Sequence, residues 1–149
     1  MLFRESKDPG VIAMKKWIFG GSGGASGGVD FALMALRVFA GFAMAFGHGI
    51  KKLPPSEGFI KGVVGMGMPG FMAWGATFAE LGGGILLALG LFTRPAATLI
   101  LITMGVAFFG VHFKDPFGRQ ELALLYGFIA LLFVFAGSGR FGVDQMIRK

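Results

Sequence analysis

One run of residues leaves this chain few folds to adopt. Phe71 to Pro95 reads FMAWGATFAELGGGILLALGLFTRP, almost wholly apolar, with Glu80 as its one ionisable group before Arg94. A run of this length spans the ~30 Å hydrocarbon core of a bilayer. A carboxyl group in its interior costs roughly 2.5–3.5 kcal/mol on insertion scales, so Glu80 is expected to face protein and not lipid. At about 100° per residue, Ala73, Ala76, Thr77, Glu80, Gly83 and Gly84 share one helical face, with Phe71, Phe78, Ile85 and Leu89 opposite. Small residues let a second membrane helix approach closely. Glu80 therefore belongs in a packed seam.

Three further apolar runs accompany it: Phe31 to Ile50, Pro95 to Phe113 and Leu122 to Ala136. With 54% hydrophobic and only 15% charged residues, the chain lies far from the soluble average. The fold class expected is all-α: a polytopic membrane protein built as a bundle of four transmembrane helices. Two segments are expected, an N-terminal interfacial tail with a Gly-rich linker over residues 1–28 and a membrane domain over 29–149. The chain has no cysteine, which excludes disulfides, thiol exchange and cysteine-ligated iron–sulfur clusters. The net charge of +6 accompanies no basic helix face or stacking platform, so nucleic acid is not an expected partner. The basic residues flank apolar runs instead, which is the membrane pattern.

In the tail, Lys15, Lys16 and Trp17 suit the headgroup zone, and no signal-peptide core or cleavage site is evident. Gly20 to Gly28 reads as a flexible linker. The tail either docks on a partner subunit or is merely peripheral. Asp30 is placed to cap the first helix and Thr93, before Pro95, to cap the third. Pro54-Pro55 ends the first span, and Ser56 to Met68 is too short and Gly-rich to cross, suiting an interfacial or re-entrant piece. Arg4, Lys7, Lys15, Lys16, Arg94, Arg140, Arg148 and Lys149 fall on one side of four spans, and Lys51, Lys52, Lys61, Lys114 and Arg119 on the other. The bias puts both termini in the cytoplasm.

Four polar groups need a role. On the first span Arg37, Gly41, Met44, Ala45 and His48 share a face opposite Phe39, Phe42 and Phe46. Arg37 lies ~16 Å below His48, and Glu80 ~13 Å below the start of its helix. Comparable depth makes a buried Arg37–Glu80 ion pair the natural inference, either as a structural lock or as a proton or quinone site. His48, His112 and Glu121 come to one surface as a polar cluster. The histidines lack a carboxylate at fixed spacing to orient them, so metal and haem are disfavoured against interfacial hydrogen bonding or proton exchange. Lys51 and Lys52, like Lys15, Lys16 and Trp17, read as lipid headgroup anchors.

Several motifs together resemble the DoxX family of small four-helix bacterial membrane proteins. They are Leu36-Arg37; Gly47-His48-Gly49 with Lys51-Lys52-Leu53; Gly67-Met68-Pro69; Ala79-Glu80-Leu81-Gly82-Gly83 with Leu89-Gly90-Leu91; and Gly137-Ser138-Gly139-Arg140-Phe141 with Asp144. The resemblance runs from about Leu33 to Asp144. It implies a membrane four-helix bundle in a bacterial inner membrane and, for some relatives, association with quinone-linked sulfur oxidation or redox complexes. Three functions are consistent with it. The first is a non-catalytic accessory subunit of a membrane redox complex, bound to other membrane subunits. The second is a quinone-reactive oxidoreductase component using Glu80 or His48 for proton transfer. The third is a small-molecule or proton carrier. No catalytic activity of the chain alone is expected, and no resident cofactor, with quinone the redox ligand favoured over haem.

Overall fold

The computed structural model describes residues 8–19 and 26–148, apart from the side chains of Lys15, Lys16, Phe19 and Arg148. Seven helices occur among them, and no strand. They are α1 (Pro9–Phe19), α2 (Gly27–Lys52), α3 (Glu57–Gly65), α4 (Met72–Leu89), α5 (Thr93–His112), α6 (Phe117–Ala136) and α7 (Val143–Arg148). Helices α2, α4, α5 and α6 are each long and apolar enough to cross a membrane. The chain is a multi-pass membrane protein, an all-α bundle whose outer face meets the bilayer.

The sequence stripes become the seams of this bundle. On α4, Ala73, Thr77, Glu80, Gly83 and Gly84 are buried, while Phe78, Ile85 and Leu89, with Phe71 just before the helix, are exposed to the lipid side. On α2, Arg37, Gly41, Met44 and Ala45 are buried and Phe39, Phe42 and Phe46 face outward. The two helices run antiparallel in backbone contact. A Cβ added at Gly41 would lie 2.5 Å from the Gly84 carbonyl and the Ala88 nitrogen, and one at Gly49 would lie 2.5 Å from the Leu81 nitrogen. Those contacts set the register. Helix α5 packs between α4 and α6, whereas α6 meets α2 only sparsely. Met44, Leu87, Ala97, Ile100, Met104, Ala130 and Phe133 fill the centre.

Several boundaries differ from expectation. Helix α2 begins at Gly27, preceded by Ser26, so Asp30 sits inside its first turn and is buried instead of capping it. The same helix widens to a π-helical stretch over Ala43–Gly49 and runs on to Lys52, where Leu53, before Pro54, turns extended. Helix α5 likewise ends in a π-helical stretch, Ala107–His112. Helix α6 opens at Phe117, four residues before Glu121. The N-terminus of α5 is capped from afar. Thr93 is already helical and its hydroxyl has no partner, while Asp144 accepts from the Phe92 and Thr93 N–H groups at 2.7 and 3.0 Å. Asp144 N–H in turn donates to the Gly90 carbonyl at 2.8 Å, so α7 closes the α4–α5 turn.

The interfacial piece is α3, with the Ser56 hydroxyl accepting from Phe59 N–H at 3.2 Å. At the other end of the bundle α1 lies against α5 and α7, where Arg94 donates to the Trp17 carbonyl at 2.8 Å and to the Phe135 carbonyl at 3.1 Å. The described part of the tail thus rests on its own chain. The linker over 20–25 lies outside the described residues.

Candidate functional site

Arg37 and Glu80 are both buried, at 2% exposure, but they do not pair. The glycine contacts bring Arg37 level with the C-terminal end of α4, seven to eight residues beyond Glu80. There one guanidinium nitrogen donates to the Leu87 and Ala88 carbonyls at 2.8 and 2.7 Å. The other reaches the Phe141 carbonyl at 3.5 Å. The last carbonyls of a helix lack intrahelical donors and carry partial negative charge. Arg37 satisfies them, a structural role, and the expected ion pair is absent. Equal counting from helix ends misjudged the depth because α2 runs past His48 to Lys52.

Glu80 pairs with Lys52 instead. Lys52 Nζ donates to Glu80 Oε1 at 2.6 Å, and the lysine keeps 35% of its side chain exposed while Glu80 keeps 2%. Lys52 also lies 5.3 Å from the Phe59 ring centroid, tying α3 to the pair through a cation–π contact. Its assignment as a headgroup anchor is therefore corrected: it is the counter-ion of the buried carboxylate. Thr77, one turn from Glu80, donates to the Ala73 carbonyl at 2.9 Å and lies 3.4 Å from the Lys52 carbonyl. Glu80 Oε2 is buried with no hydrogen-bond partner.

Two cavities meet at this pair. A groove of about 710 Å³ runs between α3, α4 and α5, lined by Phe59, Val63, Met66, Met72, Ile102 and Val106 among others, with Lys52, Glu80 and His112 also in its lining. A second cavity of about 340 Å³ lies where α2 and α6 part, lined by His48, Lys52, Glu80, His112, Arg119 and Tyr126 with apolar neighbours. Lys52, Glu80, Ala107 and His112 line both, so they form the wall between an apolar and a polar chamber.

The histidines thus reach the same place, as their position at the ends of α2 and α5 implies. His48 stands edge-on to Tyr126, ring centroids 5.6 Å apart. His112 Nδ1 lies 2.8 Å from Asp115 Oδ2. Glu121 does not join them. It is exposed and lines neither cavity, because α6 begins a full turn before it. Lys51 is exposed and Trp17 is 51% exposed on α1, whereas the side chains of Lys15 and Lys16 lie outside the described set. No group of three or more metal-ligating side chains occurs among the described residues. Reading the sequence missed Lys52 and Asp115. Lys52 was within reach, since it follows His48 by four residues and so continues the same face.

The DoxX family model matches residues 32–113, more than half of the chain. A Bacillus subtilis (strain 168) protein named "Putative oxidoreductase CatD" is 32% identical over 121 residues, covering 80% of this chain and 90% of its own. An uncharacterized protein of Haemophilus influenzae is 42% identical over 77 residues, 47% of this chain and 58% of its own. No solved structure matches the chain significantly. Four membrane-spanning helices, the seam glycines with Glu80 between α2 and α4, and these matches agree that the chain belongs to the DoxX family.

Proposed function

We propose that this protein is the quinone-binding component of a bacterial inner-membrane electron-transfer system, with a partner enzyme supplying or taking the electrons. One observation carries the reading. The unbonded, buried oxygen of Glu80 lies where an apolar groove meets an ion pair. A quinone has that shape and polarity: an apolar tail and a ring that takes up two electrons together with two protons on its oxygens, or releases both. Lys52 Nζ is a donor for a ring carbonyl, and Glu80 Oε2 is an acceptor for a ring hydroxyl. The groove, at about 710 Å³, is within the size of small-molecule sites. Similarity to a protein named as an oxidoreductase supports the redox setting.

A purely scaffolding subunit has no need of an ion pair set where two cavities meet, whereas a ligand site does. A carrier needs a route across, whereas the groove reaches no further along α5 than Leu99 and the packed centre of Met44, Ile100 and Phe133 lies beside it. The test is binding of a short-chain quinone to purified protein in nanodiscs. Gly75 lines the groove and has open space at its Cβ position. Gly75→Phe is expected to abolish binding while leaving thermal unfolding within a few degrees of wild type. Binding that survives the blocked groove would remove the proposal.

A further inference from the structure

The quinone reading leaves open how protons leave a carboxylate shut off from water. We infer that His112, oriented by Asp115, is the proton relay between the Lys52–Glu80 pair and the aqueous end of the bundle. The inference rests on the quinone reading and adds a residue to it. His112 is one of four residues lining both chambers, and apart from Lys52 and Glu80 themselves it is the one whose side chain can both accept and donate a hydrogen.

Its ring is held from the Nδ1 side. Asp115 Oδ2 lies 2.8 Å from His112 Nδ1, and an ionised carboxylate can only accept, so Nδ1 carries the hydrogen and Nε2 is left as the accepting nitrogen. The turn that holds Asp115 is itself fastened. Asp115 N–H donates to the His112 carbonyl at 2.9 Å, and Gln120 Nε2 donates to the Asp115 and Phe113 carbonyls at 2.7 and 3.1 Å. His112 also closes the π-helical stretch of α5, a helical form frequent at functional sites. The polar chamber, at about 340 Å³, has room for bridging water, each molecule occupying about 30 Å³ in the liquid. The step moves only a proton. Nε2 accepts it from the ion-pair side and the imidazolium releases it to water, or the reverse, and no electron passes through the ring. The charged and titratable groups around His112 are Asp115 on its own turn, His48 and Lys52 from α2, Glu80 from α4, and Arg119 and Tyr126 from α6.

The experiment uses membranes from a strain lacking the chain, complemented with wild type or variants, and measures quinone reduction alongside quinone binding to the purified proteins. Wild-type rescue and binding test the quinone reading; their absence would remove that reading and this inference with it. Given both, His112→Gln is expected to lower the rate about 100-fold, the usual scale for a lost proton-transfer group, with quinone affinity unchanged. The pH profile of the rate should change with it. External imidazole should restore part of the rate to His112→Gly. Asp115→Asn should fall between wild type and His112→Gln and shift the pH profile, with Asp115→Glu recovering. Thermal unfolding checks each variant, and His112→Asn replaces any that misfolds. A His112 variant that keeps its rate and pH profile overturns the relay. So does one that loses quinone binding, because His112 would then be a ligand contact.

Discussion

At the scale of single residues, the two buried charges solve their problem separately. Glu80 has a lysine that still reaches water; Arg37 has the carbonyls closing α4. The Lys52–Glu80 pair should therefore be asymmetric to mutation. Lys52→Met strands a carboxylate at 2% exposure and is expected to cost about 3 kcal/mol, the lower end of the range for an uncompensated buried charge. Glu80→Gln leaves a lysine free to extend toward water and should cost about 1 kcal/mol or less. Thermal unfolding in detergent reads both, and equal losses would contradict the geometry. Arg37→Met combined with Glu80→Leu should be additive, because seven to eight residues along α4 separate the sites by roughly 11 Å and neither touches the other's partners. Rescue of one by the other would mean that they interact after all. The burial of both groups was legible in the sequence, since hydrocarbon excludes charge. Their partners were not, because partner choice depends on helix register, and register was set by Gly41, Gly49 and Gly84 touching backbone across the seam.

At the scale of elements, the four spans could be read from apolar length alone, and the stripes from periodicity. The ends could not. The π-helical stretches of α2 and α5 and the capping of α5 by Asp144, fifty-one residues on, are tertiary features with no local signature. Nor do all glycines of α4 do the same work, which gives a sharp contrast within the helix. A Cβ at Gly84 would lie 2.7 Å from the Gly41 carbonyl and 2.8 Å from the Ala45 nitrogen, both backbone atoms that cannot swing aside. At Gly82, two residues earlier, it would meet nothing within 4 Å. Gly84→Ala is expected to destabilise by about 1–3 kcal/mol, as overpacking does. Gly82→Ala should be neutral or stabilise by up to about 1 kcal/mol, since alanine has less backbone freedom to lose. Similar effects at the two positions would show that α2 and α4 do not pack through Gly84.

At the scale of the molecule, polarity is unevenly divided. Both cavities, the ion pair and the histidines gather at the end where α2 and α5 finish, while α1, α7 and the Arg37 and Asp144 contacts close the other. Which aqueous phase the site meets therefore depends on orientation. The excess of Lys and Arg beside the termini favours that end in the cytoplasm, which turns the site toward the opposite face of the membrane. Protons exchanged through Glu80 would then come from, or go to, the non-cytoplasmic side. The absence of native cysteine makes the test direct, because a single introduced thiol is the sole target. Met146 on α7 is 74% exposed, and the Lys61 side chain on α3 is 79% exposed. In intact cells or spheroplasts a membrane-impermeant maleimide should label Lys61→Cys at once and Met146→Cys only after permeabilisation. The reverse pattern would place the site on the cytoplasmic face and the tail outside. The local chemistry of the pair would stand, but the protons of the reaction would be drawn from the cytoplasm, and the charge bias of the loops would have misread the topology.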